Sequence, residues 1–238
     1  MNYSFQFGPV FAAWPLLLEG TWITIQLSAL AMLFGLIVAI FCAWGKTSGP
    51  RPVRWVVNTY IEVIRNTPFL VQLYIIFFGL PALGVRMTAE YAGLLAMTIN
   101  LGAYTAEIFR AGIESIHRSQ VEAGLSLAMT RRQVFQHVVL KPAVARVWPS
   151  LVSQFILIML TSSVCSFISV EELSGAAALI QSDTFRSFEV YILVTLVYLA
   201  LALAFKVALT ILGHFLLYRR SQPRRRAPAL RSGTGSPR

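Results

Sequence analysis

Acidic and histidine side chains are the groups in this sequence that could catalyse proton transfer or hold a metal ion. The candidates are Glu62, Glu107, His117, His137 and His214. The three histidines are scattered along the chain, without an HExxH pattern or a repeated helical spacing that would place two of them on one face. We therefore predict no catalytic residue and no metal site, and an intramembrane enzyme is a poor interpretation.

Two pairs of opposite charges are spaced three residues apart. Glu62 precedes Arg65, and Glu107 precedes Arg110. On a helix this spacing places both side chains on one face, where they can form an ion pair and lower the cost of a charge near or within a membrane. For the first pair, an interfacial ion pair and a role in gating both remain open. For the second pair, a structural role is favoured.

Other polar residues interrupt apolar stretches. Pro68 removes a backbone hydrogen bond and bends or opens a helix, and bends at membrane depth often mark a cavity. Gln72 and Asn100 are amides in apolar surroundings. Hydrogen bonding between helices is the default interpretation of such amides, and contact with a substrate is the alternative. Ser162 and Ser163 add hydroxyl groups to a later apolar stretch.

The composition indicates which kind of element positions these groups. Of 238 residues, 56% are hydrophobic and 13% are charged, and the mean hydropathy is +0.66. Ordinary globular domains are about 25% charged, so long stretches must face something other than water. The net charge is +10. The basic residues lie between or after the apolar stretches, which favours loops that flank a membrane and argues against nucleic-acid binding.

Five segments are long enough to cross a bilayer, which takes about 20 mostly apolar residues. They predict an all-α integral membrane protein whose transmembrane domain covers residues 1–218, with spans at about 21–44, 56–80, 88–109, 148–168 and 190–217. The rest of the chain, 219–238, is rich in Arg, Pro, Ser and Gly and predicts a disordered tail. Its three consecutive arginines, 224–226, are expected to attract anionic membrane lipid.

The connections between the spans differ in charge. The first connection, the long third connection (111–146) and the tail are rich in basic residues, whereas the second and fourth offer only Arg86 and Arg186. Basic connections stay on the cytoplasmic side of a membrane. We therefore predict that the N-terminus is outside and the C-terminus is in the cytoplasm.

The third connection carries helix signals. Thr130 and Gln133 fit a capping box, and apolar residues follow at helical spacing up to Pro142, which ends that helix or opens the next. Before the capping box, Gln120–Met129 reads as a helix of small residues. Two such helices dock either on the spans of their own chain or on a partner subunit, and both interpretations remain open.

The fourth connection carries a similar signal. Ser169 and Glu172 fit a second capping box. This pattern predicts a short helix over Val170–Ile180 on the outer side.

Several sequence blocks together carry a resemblance to a known family. They are Tyr60–Leu73, Phe77–Pro81, Ala103–Arg110 with the following Gly112–Ile116, and Gln120–Gly124. In this order and spacing the chain resembles the membrane subunits of bacterial ABC importers for polar amino acids, of the histidine/glutamine/glutamate type. The last block stands in the place of the family's Glu-Ala-Ala motif, and the resemblance covers about Gly20 to Tyr218.

The resemblance implies a type I ABC importer permease fold with a cytoplasmic coupling helix, in the bacterial inner membrane. It implies a dimer of ATPase subunits, a second permease subunit, a periplasmic solute-binding protein and a polar amino acid as substrate. The chain has no GxxxxGK[ST] sequence, so the ATPase must be a separate chain that binds ATP and Mg, and this chain needs no cofactor. The residues implied in coupling to the ATPase are Glu122, Ala123, Gly124 and Ala128.

The translocation path or its gate is expected to include the polar residues introduced above. These candidates are Glu62, Arg65, Pro68, Gln72, Asn100, Glu107, Ser162 and Ser163. Lys206 in the last span either reaches the membrane surface along its flexible stem or faces an aqueous cavity, and the former is favoured. A channel or a secondary transporter that works without an ATPase is the alternative function, although an internal inverted repeat, which would favour a secondary transporter, is not evident.

Two departures from the family pattern have physical consequences. Ala128 stands where the family usually has Gly, and Ala would cost about 1 kcal/mol if the position requires a positive φ. The stretch Leu160–Val164 lacks a basic residue that the family often has there. Since hydroxyls alone hold a carboxylate poorly compared with a cation, we favour a heterodimer with a second, non-identical permease over a homodimer.

Overall fold

The computed structural model of the protein describes residues 4–218, and the elements in this part of the chain are all helices, with no strand among the described residues. The prediction of an all-α fold is confirmed. The helices in chain order are α1 (Gly8–Ala12), α2 (Trp14–Ser48), α3 (Arg51–Arg65), α4 (Phe69–Ala82), α5 (Ala89–Glu114), α6 (Arg118–Ser126), α7 (Arg131–Gln133), α8 (Lys141–Thr161), α9 (Leu173–Thr184) and α10 (Ser187–Gly213). The predicted tail, 219–238, lies outside the described residues.

Four helical stretches are long and apolar enough to cross a membrane. They are Trp14–Thr47, Ala89–Glu114, Arg131–Ile168 and Ser187–Leu217. A fifth span is possible if α3 and α4 count together.

The predicted span over residues 56–80 is broken into two helices, as the bend predicted at Pro68 implies, and its start differs from the prediction. Helix α3 begins earlier, at Arg51, and the chain turns by 110° between α3 and α4. The cause is the bend predicted at Pro68, which has no backbone N–H to continue the ladder and forces the residue before it, Thr67, away from helical geometry. Pro68 itself has the extended backbone angles φ −63° and ψ 138°.

The predicted separation between a loop helix and the fourth span is wrong. Helix α7 continues through a π-helical stretch, Val134–Leu140, into α8 and on through a 3₁₀ stretch, Ser162–Ile168. Pro142 lies in the first turn of α8, directly after the π-helical stretch, and its missing N–H interrupts the regular hydrogen-bond ladder at this point. Of the predicted connection 111–146, only residues 115–130 therefore lie between the two long helices.

The two predicted capping boxes had different outcomes. At Thr130 the box is present, because the Gln133 backbone N–H donates to the Thr130 hydroxyl at 3.3 Å and the Thr130 N–H donates to the Gln133 side chain at 2.8 Å. The predicted capping box at Ser169 is wrong, because Ser169 is the left-handed C-cap of the preceding 3₁₀ stretch, with φ 67°. Glu172 is the N-cap instead, and α9 begins at Leu173.

Helix α5 is the centre of the bundle. It packs against α2 and α8, and buries about half of its residues, whereas α10 buries only four. Close packing depends on small residues. A Cβ at Gly102 would lie 2.6 Å from Val38 of α2, and a Cβ at Gly35 would lie 2.9 Å from Leu101. Helix α5 thus lies in the interior, while α10 packs one side on the bundle and leaves most of its apolar residues exposed.

Candidate functional site: the broken helix and its charged cavity

The break between α3 and α4 is held by the side chain of Gln72. In a continuous helix the carbonyl of Ile64 would accept a hydrogen bond from residue 68, which is a proline and has no donor. The Gln72 Nε2 amide donates to this carbonyl at 2.8 Å and also lies 3.0 Å from the carbonyl of Thr67. Gln72 thus supplies the donor that Pro68 removes.

Helix α5 fixes the position of this side chain. Asn100 Nδ2 donates to Gln72 Oε1 at 3.0 Å, and both side chains are buried. The predicted hydrogen bonding between helices is present. The amides join α5 to the break, and through Gln72 they reach the end of α3.

Two tyrosines add further contacts between α3 and α5. The Tyr60 hydroxyl donates to the carbonyl of Ile99 at 2.6 Å. This approach requires Gly102, because a Cβ there would lie 3.0 Å from the Tyr60 oxygen. The Tyr104 hydroxyl lies 3.5 Å from the carbonyl of Arg65, the last residue of α3. The break is therefore anchored to the most buried helix.

Glu107 is the centre of a cluster of charges. Arg110 Nε donates to both of its carboxylate oxygens, at 2.5 and 3.0 Å, which confirms the predicted Glu107–Arg110 pair. Lys46 Nζ lies 3.4 Å from Oε1 and Arg65 lies 3.6 Å from Oε2. The possible pairing of Arg65 with Glu62 is not what the structure shows, because the fold brings Arg65 to Glu107 across the space between α3 and α5.

A cavity of about 320 Å³ opens beside this cluster. It is lined by Lys46, Asn58, Ile61, Glu62, Arg65, Asn66, Tyr104 and Glu107. Three of the predicted path residues, Glu62, Arg65 and Glu107, thus come together. Lys46 was missed as a site residue. Its place at the charged end of an apolar stretch was visible in the sequence, but its distance along the chain from Glu107 concealed the contact.

The other predicted path residues lie apart from the cavity. Ser162 and Ser163 are in the 3₁₀ stretch, and their hydroxyls donate to the carbonyls of Met159 and Leu160, at 2.7 and 2.8 Å. Lys206 is exposed on α10 and does not line the cavity. These residues belong to different parts of the bundle.

The opposite end of the bundle holds a buried carboxylate that the sequence indicated only as part of a cap. Glu172 is fully buried. Its carboxylate accepts hydrogen bonds from the hydroxyls of Tyr198 at 2.7 Å and Thr24 at 3.3 Å, and from the backbone N–H groups of Ser174 and Gly175. Burial raises the pKa of Glu172, and these donors oppose the rise. The group joins α2, α9 and α10.

Helix α6 has one packed face and one exposed face. Gly124 is buried against the π-helical stretch, and a Cβ there would lie 3.0 Å from Val134. Glu122 is exposed and pairs with Arg118 at 2.9 Å, while Leu127 is 78% exposed. Ala128 has φ 58°, so the cost expected for a positive φ at this position applies.

A comparison with protein families gives one extended match. A model described as the inner membrane component of binding-protein-dependent transport systems matches residues 31–226. The match includes the break, the charged cavity and α6.

Curated relatives are similar over most of their length. The L-cystine transport system permease protein TcyB of Bacillus subtilis (strain 168) is 40% identical over 160 residues, which are 67% of this chain and 68% of the relative. The glutamine transport system permease protein GlnP of Escherichia coli (strain K12) is 34% identical over 202 residues, which are 84% of this chain and 92% of the relative.

Solved structures have the same arrangement of helices. A chain from the crystal structure of an amino acid ABC transporter with histidines has a TM-score of 0.84 and 36% identity, covering 90% of this chain and 100% of that chain. The inward-facing MetNI methionine ABC transporter has a TM-score of 0.68 at 16% identity, covering 84% of this chain and 95% of its own. At that identity the second likeness shows the fold alone.

Proposed function

Because this chain belongs to the family of binding-protein-dependent transport system inner membrane components, we propose that it is the permease subunit of an ABC importer that moves a polar amino acid, or a close derivative, across the inner membrane. Its curated relatives are named as permeases for cystine and glutamine. The structural neighbour at 36% identity is an amino acid ABC transporter. The amino-acid class of the substrate rests on these relatives.

The observation that carries the proposal is the exposed helix α6 between two long apolar helices. It contains Glu122, Ala123 and Gly124 in the place of the family's Glu-Ala-Ala motif and packs one face on its own chain through Gly124. Its other face, with Glu122, is exposed, and so is Leu127 directly after the helix. In the proposed complex this face contacts a separate ATPase, which binds ATP and Mg, and the turn at Ala128 fixes where the helix ends.

The proposed path for the substrate passes the break between α3 and α4. A broken helix beside a cavity is a common site for substrate contact in transporters. Helix α3 is exposed along almost its whole length, and in the proposed complex this surface faces the path and a second permease subunit. The hydroxyls of Ser162 and Ser163 are occupied by their own backbone, which supports a non-identical partner as the source of polar contacts at that level.

The proposed orientation has the N-terminus in the periplasm and the C-terminus in the cytoplasm. The basic connection after α2 and the basic segment around α6 and α7 then lie in the cytoplasm, as expected for short loops. Helix α9 and Arg186 lie on the periplasmic side, where a solute-binding protein delivers the amino acid. This chain has a transport role in the complex, and ATP hydrolysis occurs in the partner.

Uptake in a strain that lacks this gene tests the proposal. The strain would carry plasmids for the chain, its ATPase, its binding protein and the second permease encoded beside it, and would be assayed with radiolabelled glutamine, cystine, and acidic and basic amino acids. We expect uptake of at least one of them, and loss of that uptake when the lysine in the ATPase phosphate-binding loop is replaced by alanine. Uptake that persists without ATP hydrolysis would favour a channel or a secondary transporter instead.

A further inference from the structure

We propose that the charged cavity beside the helix break binds the zwitterionic head of an amino acid, with Lys46 and Arg65 facing the carboxylate and Glu62 facing the ammonium group. This inference rests on the proposed function and names a substrate site within it. It concerns one cavity of about 320 Å³, at the lower end of the range of about 300–1,000 Å³ that is usual for small-molecule sites.

Lys46 and Arg65 are two cations that share one acceptor at long distances. They lie 3.4 and 3.6 Å from different oxygens of Glu107. A charge-assisted hydrogen bond between such groups is usually about 2.7–2.9 Å long. Neither contact is a tight pair, although a guanidinium has five N–H donors and an ammonium has three. Both side chains line the cavity and have donors available for a second carboxylate.

Arg110 is the main partner of Glu107. Arg110 donates to both of its oxygens at 2.5 and 3.0 Å and also donates to Glu114. Arg110 does not line this cavity. Because Arg110 compensates Glu107 from the other side, Lys46 and Arg65 can turn to an incoming carboxylate without leaving an unpaired acid behind.

Glu62 supplies the opposite charge. It is exposed at the end of α3, lines the cavity, and takes part in none of the ion pairs formed by the described residues. The side-chain amide nitrogen of Asn66 donates to the Glu62 backbone carbonyl at 2.8 Å. The Asn66 amide oxygen is therefore a second acceptor for an ammonium group, beside Glu62 in the lining of the cavity. Of the four charged side chains that line the cavity, Glu107 is already paired with Arg110, which leaves two cations for the carboxylate and Glu62 for the ammonium group of an amino acid head.

Neighbouring side chains hold the Arg65 guanidinium and the helix break in place. The Arg65 guanidinium carbon lies 5.5 Å from the centre of the Tyr104 ring, a cation–π distance that orients the cation. The backbone carbonyls of the break are already satisfied by Gln72. The site therefore offers charges and side-chain amides, and Gln72 acts as a positioning residue beneath it.

A lipid phosphate is another oxyanion that two cations could hold. Glu62 argues for the amino acid, since an acid at the same cavity repels a phosphate and attracts an ammonium group. Under the proposed orientation the cavity lies towards the cytoplasmic side, so the site is the last one that the amino acid meets before release.

The test measures binding to the permease without its binding protein. The complex, purified with its co-expressed partners and placed in phosphatidylcholine nanodiscs, is titrated with the radiolabelled amino acid that the uptake assay identifies, L-glutamine or L-cystine in the first instance. We expect Arg65→Gln and Lys46→Gln each to weaken binding at least tenfold. Arg51→Gln, the same change on an exposed residue of α3 outside the cavity, should leave binding within twofold.

A second pair of measurements tests the ammonium side. Glu62→Gln should weaken binding of L-glutamine at least fivefold and leave binding of glutaramate, which lacks the α-amino group, within twofold. The conservative variants Arg65→Lys and Lys46→Arg keep the charge and should retain most of the binding, which separates a charge effect from a folding defect. Membrane levels and elution volumes of all variants serve as the folding control.

Three results would overturn the site. The first is no detectable binding of an amino acid to a wild-type complex that transports it, and the second is unchanged binding in both Arg65→Gln and Lys46→Gln. The third is phosphatidylglycerol retained by the wild type and lost from Arg65→Gln in native mass spectrometry, while amino-acid binding stays the same. Each leaves the proposed function standing if uptake is intact, whereas a wild-type complex that transports no amino acid refutes that function independently.

Discussion

The side-chain amide of Asn100 donates a 3.0 Å hydrogen bond to the side-chain amide of Gln72. Through this bond the most buried helix, α5, fixes the donor that satisfies the carbonyl groups of a broken helix. The two halves of the break can therefore keep their 110° angle while the carbonyls of Ile64 and Thr67 remain hydrogen-bonded. This arrangement places the end of α3, with Glu62 and Arg65, beside the charged cluster on α5.

Replacement of Gln72 by leucine should destabilise the protein. The carbonyls of Ile64 and Thr67 would lose their side-chain donor, and the buried amide of Asn100 would lose its acceptor. An unsatisfied buried polar group costs about 1–3 kcal/mol. The measurement is the melting temperature of the purified complex in detergent, which should fall. Gln26→Leu is the matched control, because Gln26 is exposed on α2 and its replacement should leave the melting temperature nearly unchanged. An equal melting temperature for Gln72→Leu and wild type would contradict the role of this amide.

The sequence predicted the break but not its partners. Pro68 lacks an N–H wherever it occurs, so the bend follows from residue type alone. That Gln72 supplies the missing bond, and that Lys46 meets Glu107, depends on the packing of α2, α3 and α5. The segments involved are far apart along the chain. The i, i+3 spacing of Glu62 and Arg65 indicates that the two can pair, but it does not show that the fold brings the Glu107 carboxylate closer to Arg65.

At the outer end of the bundle, the sequence pattern indicated the wrong N-cap residue for α9. Ser169 has the right spacing for a capping box, but the 3₁₀ stretch before it uses Ser169 as its left-handed end. Glu172 then caps α9 through two backbone N–H groups. Its longer side chain also reaches Thr24 and Tyr198 on other helices, which no local pattern could indicate.

Replacement of Ala128 by glycine should stabilise the end of α6. Ala128 has φ 58°, a conformation that costs an L-residue about 1 kcal/mol and glycine almost nothing. We expect a small rise in the melting temperature. Ala123→Gly, inside the same helix, should have the opposite effect, because glycine in a helix interior costs about 0.5–1 kcal/mol. A fall in the melting temperature of Ala128→Gly would mean that the left-handed geometry is not adopted.

Replacement of Glu122 by lysine should abolish most uptake without unfolding the permease. Glu122 is exposed on α6, and its ion pair with Arg118 is of the surface type worth about 0.3–0.5 kcal/mol. The loss of uptake would come from a reversed charge at the proposed ATPase contact. Arg118→Gln removes the same ion pair without changing Glu122 and should retain uptake. Full uptake by Glu122→Lys, at a normal membrane level, would show that this face of α6 does not couple to the ATPase.

Replacement of Tyr198 by phenylalanine should destabilise the outer end in a manner that depends on pH. Burial raises the pKa of Glu172, so its contribution to stability is greatest below the usual carboxyl pKa and is lost as pH rises through the raised value. The variant removes a donor to the carboxylate and raises that pKa further. The loss in melting temperature should therefore be larger at pH 8 than at pH 5. Tyr191→Phe, at an exposed tyrosine of α10, should show no such dependence.

Cysteine labelling tests the orientation that the proposed path and coupling both require. Ser232→Cys, in the basic tail, should react with a membrane-impermeant maleimide only after permeabilisation of the membrane. Phe185→Cys is the outer control, since Phe185 is 87% exposed just after α9 and should react in intact cells. The native thiols, Cys42 and Cys165, are buried and should give a low background. Reaction of the tail cysteine in intact cells would show that the protein has the opposite orientation. It would then place α6 and the charged cavity on the side away from any cytoplasmic ATPase, and the proposed coupling could not operate.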